Sequence, residues 1–213
     1  DVPSIYEVPL KMQEQKLDEI VLRKTGMEIG PRPELKPWRE FLAHMQNAKD
    51  TVRIGLVGKY VELQDAYKSI NEALFQAATY NNRKLDLQYI HSEKLTESNV
   101  EEKLSSMDGL IIAPGFGQRG VEGKFVALKY AREHDMPTFG ICLGMQCMVI
   151  EYARDVLGYK DANSTEMDVN TPHNVIDLME SQKCISNMGG TMRLGEYDCI
   201  LQEGSKAEQA YGK

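Results

Sequence analysis

The sequence predicts an α/β protein in which helices cover both faces of a parallel sheet. Apolar runs of strand length alternate with helical segments from residue 51 onward. Strands that are separated by helices form parallel sheets with both faces covered. In addition, a cysteine lies between Gly140 and Gly144, where a predicted strand ends and a helix begins. This is the local form of a nucleophile elbow.

The first 50 residues differ from the rest and are expected to form a packing arm and a linker. Apolar positions between residues 11 and 24 predict one amphipathic helix, which ends at Gly26. The stretch from Gly30 to Pro37 is rich in proline, which predicts an extended linker. A short helix is expected at 38–47.

The alternating part begins with a nearly continuous apolar strand. The predicted strands are 52–57, 85–90, 110–113, 138–141 and, after a weaker stretch, 175–179. The predicted helices are 66–80, 97–104, 124–133 and 143–157. Turns are expected around Gly189, Gly190 and Gly195.

Composition excludes several classes of protein. The 213 residues carry 25 Lys+Arg and 32 Asp+Glu, a net charge of −7, so no nucleic-acid footprint is indicated. There is no apolar run of membrane-spanning length and no signal peptide at the start. The four cysteines lack zinc spacing, so we expect no metal site and a reducing, cytoplasmic location. The chain lacks an initiator Met, which predicts a fragment.

Cys142 is the candidate nucleophile. The segment Gly140–Gly144 (GICLG) places the thiol at the start of a helix, where unpaired N–H groups and the helix dipole stabilise a thiolate. The N–H of Leu143 would then point at a developing oxyanion. A small buried cysteine between turn glycines is the alternative. The remaining cysteines, Cys147, Cys184 and Cys199, are expected to be structural.

A glycine-rich loop at 115–120 (GFGQRG) follows the third predicted strand of the alternating region. It has the literal form of a dinucleotide-binding fingerprint, but Asp135 precedes the next strand and does not end it, so the fit is poor. We therefore expect the loop to supply a second N–H to the oxyanion. A plain flexible turn is the alternative.

Only four histidines could serve as a base for the thiol. They are His44, His91, His134 and His173. His173 alone follows Cys142, and no neighbouring carboxylate obviously orients it. Each is expected to be a surface or turn histidine.

The elbow Gly140–Gln146 (GICLGMQ) resembles that of the class I (triad-type) glutamine amidotransferases. Four further segments resemble the CTP synthase family: 58–69 (GKYVELQDAYKS), 115–123, 162–166 (ANSTE) and 189–195 (GGTMRLG). Residues 1–22 are similar to the end of that family's synthetase domain, so the resemblance covers the whole chain. It implies a flavodoxin-like parallel sheet with a mixed edge, of the class I glutaminase type.

The resemblance also implies a domain organisation and an activity. Residues 1–28 would end a synthetase (amidoligase) domain, 29–51 would be an interdomain linker, and 52–213 would be a glutamine amidotransferase domain that is incomplete at its C-terminus. The family aminates UTP to CTP, using ATP and ammonia that this domain releases from glutamine.

Residue roles follow from the same resemblance. Cys142 matches the nucleophile that forms a γ-glutamyl thioester, and Gly115 and Leu143 match the oxyanion positions. The implied contacts to glutamine are Gly115, Leu143, Gly144, Met145, Gln146 and Glu166, with Glu166 near the α-amino group.

Other implied roles lie outside the elbow. Asp1 and Val2 match the last stretch of the ATP site, and Phe116 and Arg119 match a lid that is linked to activation by GTP. No cofactor is implied within this chain, whereas the full enzyme would use ATP and Mg²⁺. The family forms homotetramers, and the fragment alone is expected to be a monomer or dimer.

Two departures from the family pattern stand out. The family usually reads Pro-Gly-Gly-Phe-Gly, whereas Pro114–Gly117 has one glycine fewer, and we align Gly115 with the second. The triad His and Glu of the family lie in a His-Pro-Glu motif that this sequence does not contain. We therefore expect impaired turnover, because members of a triad act as a unit.

Two alternatives remain open. One is a stand-alone cysteine hydrolase that uses His173 or another local base. The other is a catalytically silent regulatory or interaction module built on the glutaminase fold. The reactivity of Cys142 distinguishes a silent module from a glutaminase.

Overall fold

The computed structural model describes residues 1–179, 182, 196 and 198–212. They divide into two compact units, Asp1–Ile176 and Asp177–Lys213. In the second unit, the described helix is α8 (Lys206–Tyr211), whose N-cap Ser205 accepts a hydrogen bond from the Glu208 N–H. Cys184 and the predicted turns at 189–195 lie outside the described residues.

A four-stranded parallel sheet forms the centre of the first unit. Its strands are β1 (Asp50–Gly58), β2 (Arg83–His91), β3 (Gly109–Ile112) and β4 (Thr138–Gly140), in the order β2-β1-β3-β4. The parallel α/β prediction is therefore confirmed. No strand pairs antiparallel among the residues that the structure describes, so the mixed edge stays a prediction.

A separate two-stranded parallel sheet follows the main one. It pairs β5 (Asn163–Ser164) with β6 (Asn174–Ile176). The strand that the sequence predicts at 175–179 is thus shorter, and its partner is β5.

Seven helices of the first unit connect and cover the strands. They are α1 (Val8–Glu14), α2 (Leu17–Thr25), α3 (Lys36–Asn47), α4 (Lys68–Tyr80), α5 (Val100–Leu104), α6 (Val121–Glu133) and α7 (Leu143–Asp155). Helix α7 ends before the predicted residue 157 because Gly158 adopts φ 82° and the Tyr159 N–H bonds back to the Ala153 carbonyl.

The single helix predicted at 11–24 is wrong, because the structure has two helices there. Lys16 adopts a left-handed φ of 57° between α1 and α2. The linker accounts for the break: the Arg32 guanidinium donates to the Gln13 carbonyl at 2.7 Å, and the Gln13 side chain donates to the Pro33 carbonyl at 2.7 Å. Arg32, together with the Lys16 N–H at 3.1 Å, thus occupies the carbonyl that a continuous helix would bond to the Leu17 N–H.

The core lies on both faces of the main sheet because side chains alternate along each strand. Leu56 and Ile111 pack on the face that α4 covers, with Tyr67, Ile70 and Leu74. Their neighbours along the strands pack on the opposite face. That larger cluster includes Val57, Leu110, Ile112, Leu104, Ala127, Leu143 and Ile150.

The N-terminal arm packs on α4. The Trp38 indole donates to the Tyr6 carbonyl at 2.7 Å, and the Tyr6 hydroxyl donates to the Glu72 carboxylate at 2.5 Å. The rings of Tyr6 and Phe75 lie 5.3 Å apart. The arm therefore has its own hydrophobic contact with the sheet unit, and the domain boundaries at 28 and 51 stay a prediction.

Candidate active site

Cys142 lies at the sharp turn between β4 and α7. It is the N-cap residue of α7 and adopts φ 52° and ψ −112°, a region that residues with a side chain rarely occupy. Such a conformation costs about 1–3 kcal/mol and persists only where its surroundings enforce it. The strain is located at the residue whose chemistry the sequence singles out.

The two glycines of the motif enforce this turn. A Cβ atom on Gly140 would lie 2.6 Å from the Gly144 carbonyl carbon, and one on Gly144 would lie 2.0 Å from the Ile112 carbonyl oxygen. The Ile141 N–H also donates to that same Ile112 oxygen at 3.1 Å. No larger side chain fits at either position, because backbone atoms cannot move aside as a flexible side chain can.

The Cys142 thiol is exposed at the N-terminus of a 13-residue helix. The first turn of a helix leaves backbone N–H groups unpaired, and the thiol is exposed at that end of the helix. No side chain that the structure describes hydrogen bonds to this sulfur.

Cys147, on the same helix, has the opposite environment. It is fully buried in the larger core cluster, which confirms the prediction that it is structural. Burial raises the pKa of this thiol to about 11, so it stays protonated at neutral pH.

The loop after β3 brings Gly115 beside Leu143. A Cβ atom on Gly115 would lie 3.7 Å from the Leu143 side chain and 3.4 Å from the Lys59 Cε. Among the described residues, neither the Gly115 N–H nor the Leu143 N–H has an acceptor. An oxyanion site requires unpaired amides of this kind, and one of the two belongs to the residue that follows Cys142, while the other is in the loop that packs on the Leu143 side chain.

Two buried lysines contact this loop, and sequence reasoning missed both. Lys124 on α6 donates to the Ala113 carbonyl at 2.6 Å, and Lys59, just after β1, donates to the Phe116 carbonyl. The signal for Lys124 was available, because α6 buries Val121 and Leu128 on the same helical stripe. Burial lowers the pKa of Lys124, and nearby Lys59 lowers it further, whereas the thiols of Cys147 and Cys142 act in the opposite sense.

The remainder of the glycine-rich loop is held against its neighbours. Arg119 pairs with Glu93 at 2.9 Å and lies over the Tyr60 ring, 5.4 Å from its centre. Gly120 adopts φ 75°, and a Cβ atom there would lie 2.4 Å from the Ser92 Oγ. Phe116 is 80% exposed. Local packing therefore accounts for the third glycine of the fingerprint-like motif.

The residues implied to contact glutamine lie in two places. Met145 is exposed on the first turn of α7, and the buried Oε1 of Gln146 has no hydrogen-bond partner among the described residues. Glu166 is exposed in the turn after β5. The side-chain amide of Gln118, in the glycine-rich loop, donates to the Met167 carbonyl of this turn at 2.5 Å and so connects the two segments.

Beside this turn is a cavity of about 300 Å³. Its lining is Gln118, Val121, Glu122, Phe125, Arg154, Asn163, Met167 and Asp168.

Three of the four histidines, His91, His134 and His173, form hydrogen bonds away from the elbow. His173 does have a carboxylate partner: its Nδ1 lies 2.7 Å from Asp161, and its ring stacks on Tyr159 at 4.6 Å. His134 bonds the Tyr130 carbonyl at 2.8 Å. Throughout the described part of the chain, no hydrogen bond joins a histidine to Cys142.

Val2 lines a different cavity, of about 320 Å³, between α1 and α3. No residue of the elbow lines this cavity, and Asp1, which precedes Val2 in the chain, is exposed.

Within the described ranges, no group of three or more His, Cys, Asp or Glu side chains could hold a metal ion. None of the helices described here is long and apolar enough to cross a membrane.

Comparison with known proteins assigns the class. The family model for class-I glutamine amidotransferases matches residues 62–212, and the chain belongs to that family. A solved structure, the glutaminase domain of Trypanosoma brucei CTPS with bound acivicin, superposes with a TM-score of 0.58 at 39% identity. The match covers 61% of this chain and 51% of that chain. The class I glutaminase fold is thereby confirmed.

Within the family, several CTP synthases match the chain over its whole length. The chain is 67% identical over 213 residues to CTP synthase of Porphyromonas gingivalis, covering 100% of this chain and 40% of that protein. It is 64% identical over 211 residues to CTP synthase of Bacteroides fragilis, covering 99% and 40%. The resemblance seen in the sequence is confirmed, and the chain spans about 40% of the length of these relatives.

Proposed function

We propose that this chain is a glutaminase domain that hydrolyses the side-chain amide of glutamine through a thioester on Cys142. In the longer enzyme that its relatives represent, the ammonia would aminate UTP to CTP with ATP. The observation that carries the proposal is the strained, exposed Cys142, which is followed by the unpaired amide of Leu143 and whose neighbour Leu143 packs against Gly115.

The reaction divides into two balanced halves. The Cys142 thiolate attacks the amide carbon, the C=O electron pair moves to oxygen, and the amides of Gly115 and Leu143 stabilise that oxyanion. When the C–N bond breaks, nitrogen takes up the proton that the thiol gave up and leaves as ammonia. Water then attacks the thioester, the C–S bond breaks, the sulfur takes up a proton from the water, and glutamate leaves. Losing one oxyanion donor costs about 10²–10³ in rate in comparable enzymes.

Recognition of glutamine is assigned to the two ends of the site. Leu143, Gly144, Met145 and Gln146 would line the side-chain end, together with Gly115. The buried Gln146 Oε1 has no described partner, and a buried acceptor of this kind favours a ligand that donates a hydrogen bond. Glu166 is exposed and carries the negative charge that suits an α-ammonium group.

Several functions are proposed for the longer enzyme on family grounds. Phe116 and Arg119 would belong to a lid that responds to GTP, and Asp1 and Val2 would end an ATP site that also uses Mg²⁺. No cofactor is assigned to this chain itself. A cytoplasmic homotetramer is the assembly we propose.

Turnover by this chain alone is expected to be low. The sequence has no His-Pro-Glu motif, and no described side chain hydrogen bonds the Cys142 sulfur. The same observation favours the second candidate, a silent module with the glutaminase fold. The two differ in whether Cys142 takes a glutamine-shaped electrophile.

The deciding experiment is intact-mass analysis after exposure to 6-diazo-5-oxo-norleucine. The thiol proton passes to the diazo carbon, N₂ leaves, and a C–S bond forms. We expect one adduct on Cys142, slowed by excess glutamine and absent from Cys142→Ser. Cys147→Ser is the matched control and should label as the parent chain does. No adduct in a folded chain would support the silent module.

A further inference from the structure

Two buried ammonium groups donate to the loop that carries the Gly115 amide. Lys124 is 1% exposed and bonds the Ala113 carbonyl at 2.6 Å, and Lys59 is 7% exposed and bonds the Phe116 carbonyl. The two accepting carbonyls thus lie on either side of Gly115. Neither lysine forms an ion pair with a carboxylate in the part of the chain that the structure describes.

Such an arrangement is unfavourable for stability alone. Burying a charged group costs several kcal/mol unless hydrogen bonds and nearby charges compensate for it. A methionine of similar volume would fill either position without that cost. Here the compensation comes from the loop carbonyls and, for Lys59, from the Tyr60 ring 5.3 Å away, and not from a carboxylate. Two buried lysines that depend on one loop therefore indicate a role in the site.

Both lysines follow a glycine that packs tightly against residues outside the loop. At Lys59, the preceding Gly58 abuts the Tyr67 hydroxyl so closely that a Cβ atom would lie 2.4 Å from its oxygen, and the same hydroxyl accepts from the Tyr60 N–H at 3.2 Å. At Lys124, a Cβ on the preceding Gly123 would lie 1.7 Å from the Ser92 carbonyl oxygen. Each ammonium is thus held by an anchored segment.

We propose that Lys59 and Lys124 are positioning residues that hold the oxyanion loop from both sides, so that the Gly115 N–H faces the reacting carbonyl. Charge-assisted hydrogen bonds to the Ala113 and Phe116 carbonyls restrict rotation of the peptide planes between them. The inference rests on the glutaminase activity proposed above. It requires no proton transfer by either lysine.

The test compares two alkylating reagents on the same thiol. Iodoacetamide displaces iodide and develops no oxyanion, whereas the glutamine-shaped chloroketone 6-chloro-5-oxonorleucine has its ketone on C5, as glutamine has its amide carbonyl, so its ketone oxygen would enter the oxyanion site before chloride is lost. Rates at Cys142 are read by peptide mass mapping. The variants are Lys59→Met and Lys124→Met, and Lys103→Met is the control, because Lys103 is an exposed lysine on α5.

We expect each buried-lysine variant to lose about 10- to 100-fold in the chloroketone rate, part of what a lost oxyanion donor costs. The iodoacetamide rate should change less than about twofold, and Lys103→Met should change neither rate. Lys59→Arg keeps a donor and should recover part of the loss. Equal loss with both reagents in a folded variant, or no loss with either, would overturn the proposal.

Folding and function are separated within the same experiment. Cys147 is fully buried, so its alkylation reports unfolding of a variant, and Lys59→Arg then decides the question for position 59. If the parent chain itself failed to react with the chloroketone while remaining folded, the glutaminase function would fail. That outcome is distinct from a reactive parent whose lysine variants react equally well, which refutes the positioning role alone.

Discussion

Cys142 and Cys147 are five residues apart on one helix and illustrate two uses of the same side chain. Cys142 caps the helix at a strained, exposed turn, whereas Cys147 lies one turn further on with no exposed surface. Residues five apart lie on different sides of a helix, so one faces the site and the other the core. Position relative to the helix end, and not residue type, separates a nucleophile from a packing group.

The largest expected effect is in alkylation of the native chain. At pH 8, iodoacetamide should modify Cys142 at least about 100-fold faster than Cys147, because only the thiolate reacts and Cys147 is both protonated and inaccessible. Peptide mapping over time gives the two rates. In 6 M guanidinium chloride the ratio should approach one, and a ratio near one in buffer would remove the distinction between the two thiols.

The second largest expected effect is a loss of folding stability in alkaline solution. The pKa of Cys147 is raised from 9.0 to about 11 in the folded chain, so the folded state retains a proton that the unfolded state loses. Its contribution to stability is complete below pH 9 and is lost as pH rises towards 11. The loss amounts to about 2–3 kcal/mol.

Chemical denaturation of the parent and of Cys147→Ala at several pH values isolates this contribution. The stability gap between the two chains should be constant below pH 9 and should narrow by that amount by pH 11. A gap that does not change with pH would mean that the thiol ionises equally in both states.

The smallest expected effect is the gain in stability when backbone strain at Cys142 is relieved. Cys142→Gly should raise the free energy of unfolding by about 1 kcal/mol, because glycine tolerates positive φ and relieves strain, although it also adds entropy to the unfolded chain. Denaturant titration measures it. Cys199→Gly is the control and should not stabilise the chain, because Cys199 is an exposed cysteine whose φ is not positive.

The elbow could be predicted from sequence because its determinants are local. Glycine is required at positions 140 and 144 by contacts within the turn and with one neighbouring strand. The five-residue pattern Gly140–Gly144 is therefore enough to predict the turn. The alternation of apolar runs with helical segments likewise predicted the parallel sheet, because the length and apolar character of each run can be read from that segment alone.

Features that depend on distant partners were not predictable. The break at Lys16 depends on Arg32, and the pairing of His173 with Asp161 spans twelve residues. The roles of Lys59 and Lys124 depend on carbonyls of a third segment. A lysine within the buried stripe of α6 was a usable signal for one of them, whereas nothing in the sequence around Lys59 indicated its partner.

The Ile112 carbonyl contacts two parts of the elbow. Gly144 packs directly against it, and the Ile141 N–H donates a hydrogen bond to it. Gly115 follows Ile112 by three residues. The turn that carries the nucleophile and the oxyanion loop are therefore both attached to the C-terminal end of strand β3. If the sheet shifts against the rest of the molecule, thiol and amide move together and their separation is preserved. Substitutions elsewhere in the core should therefore lower the stability of the domain before they change the distance between the Cys142 thiol and the Gly115 amide.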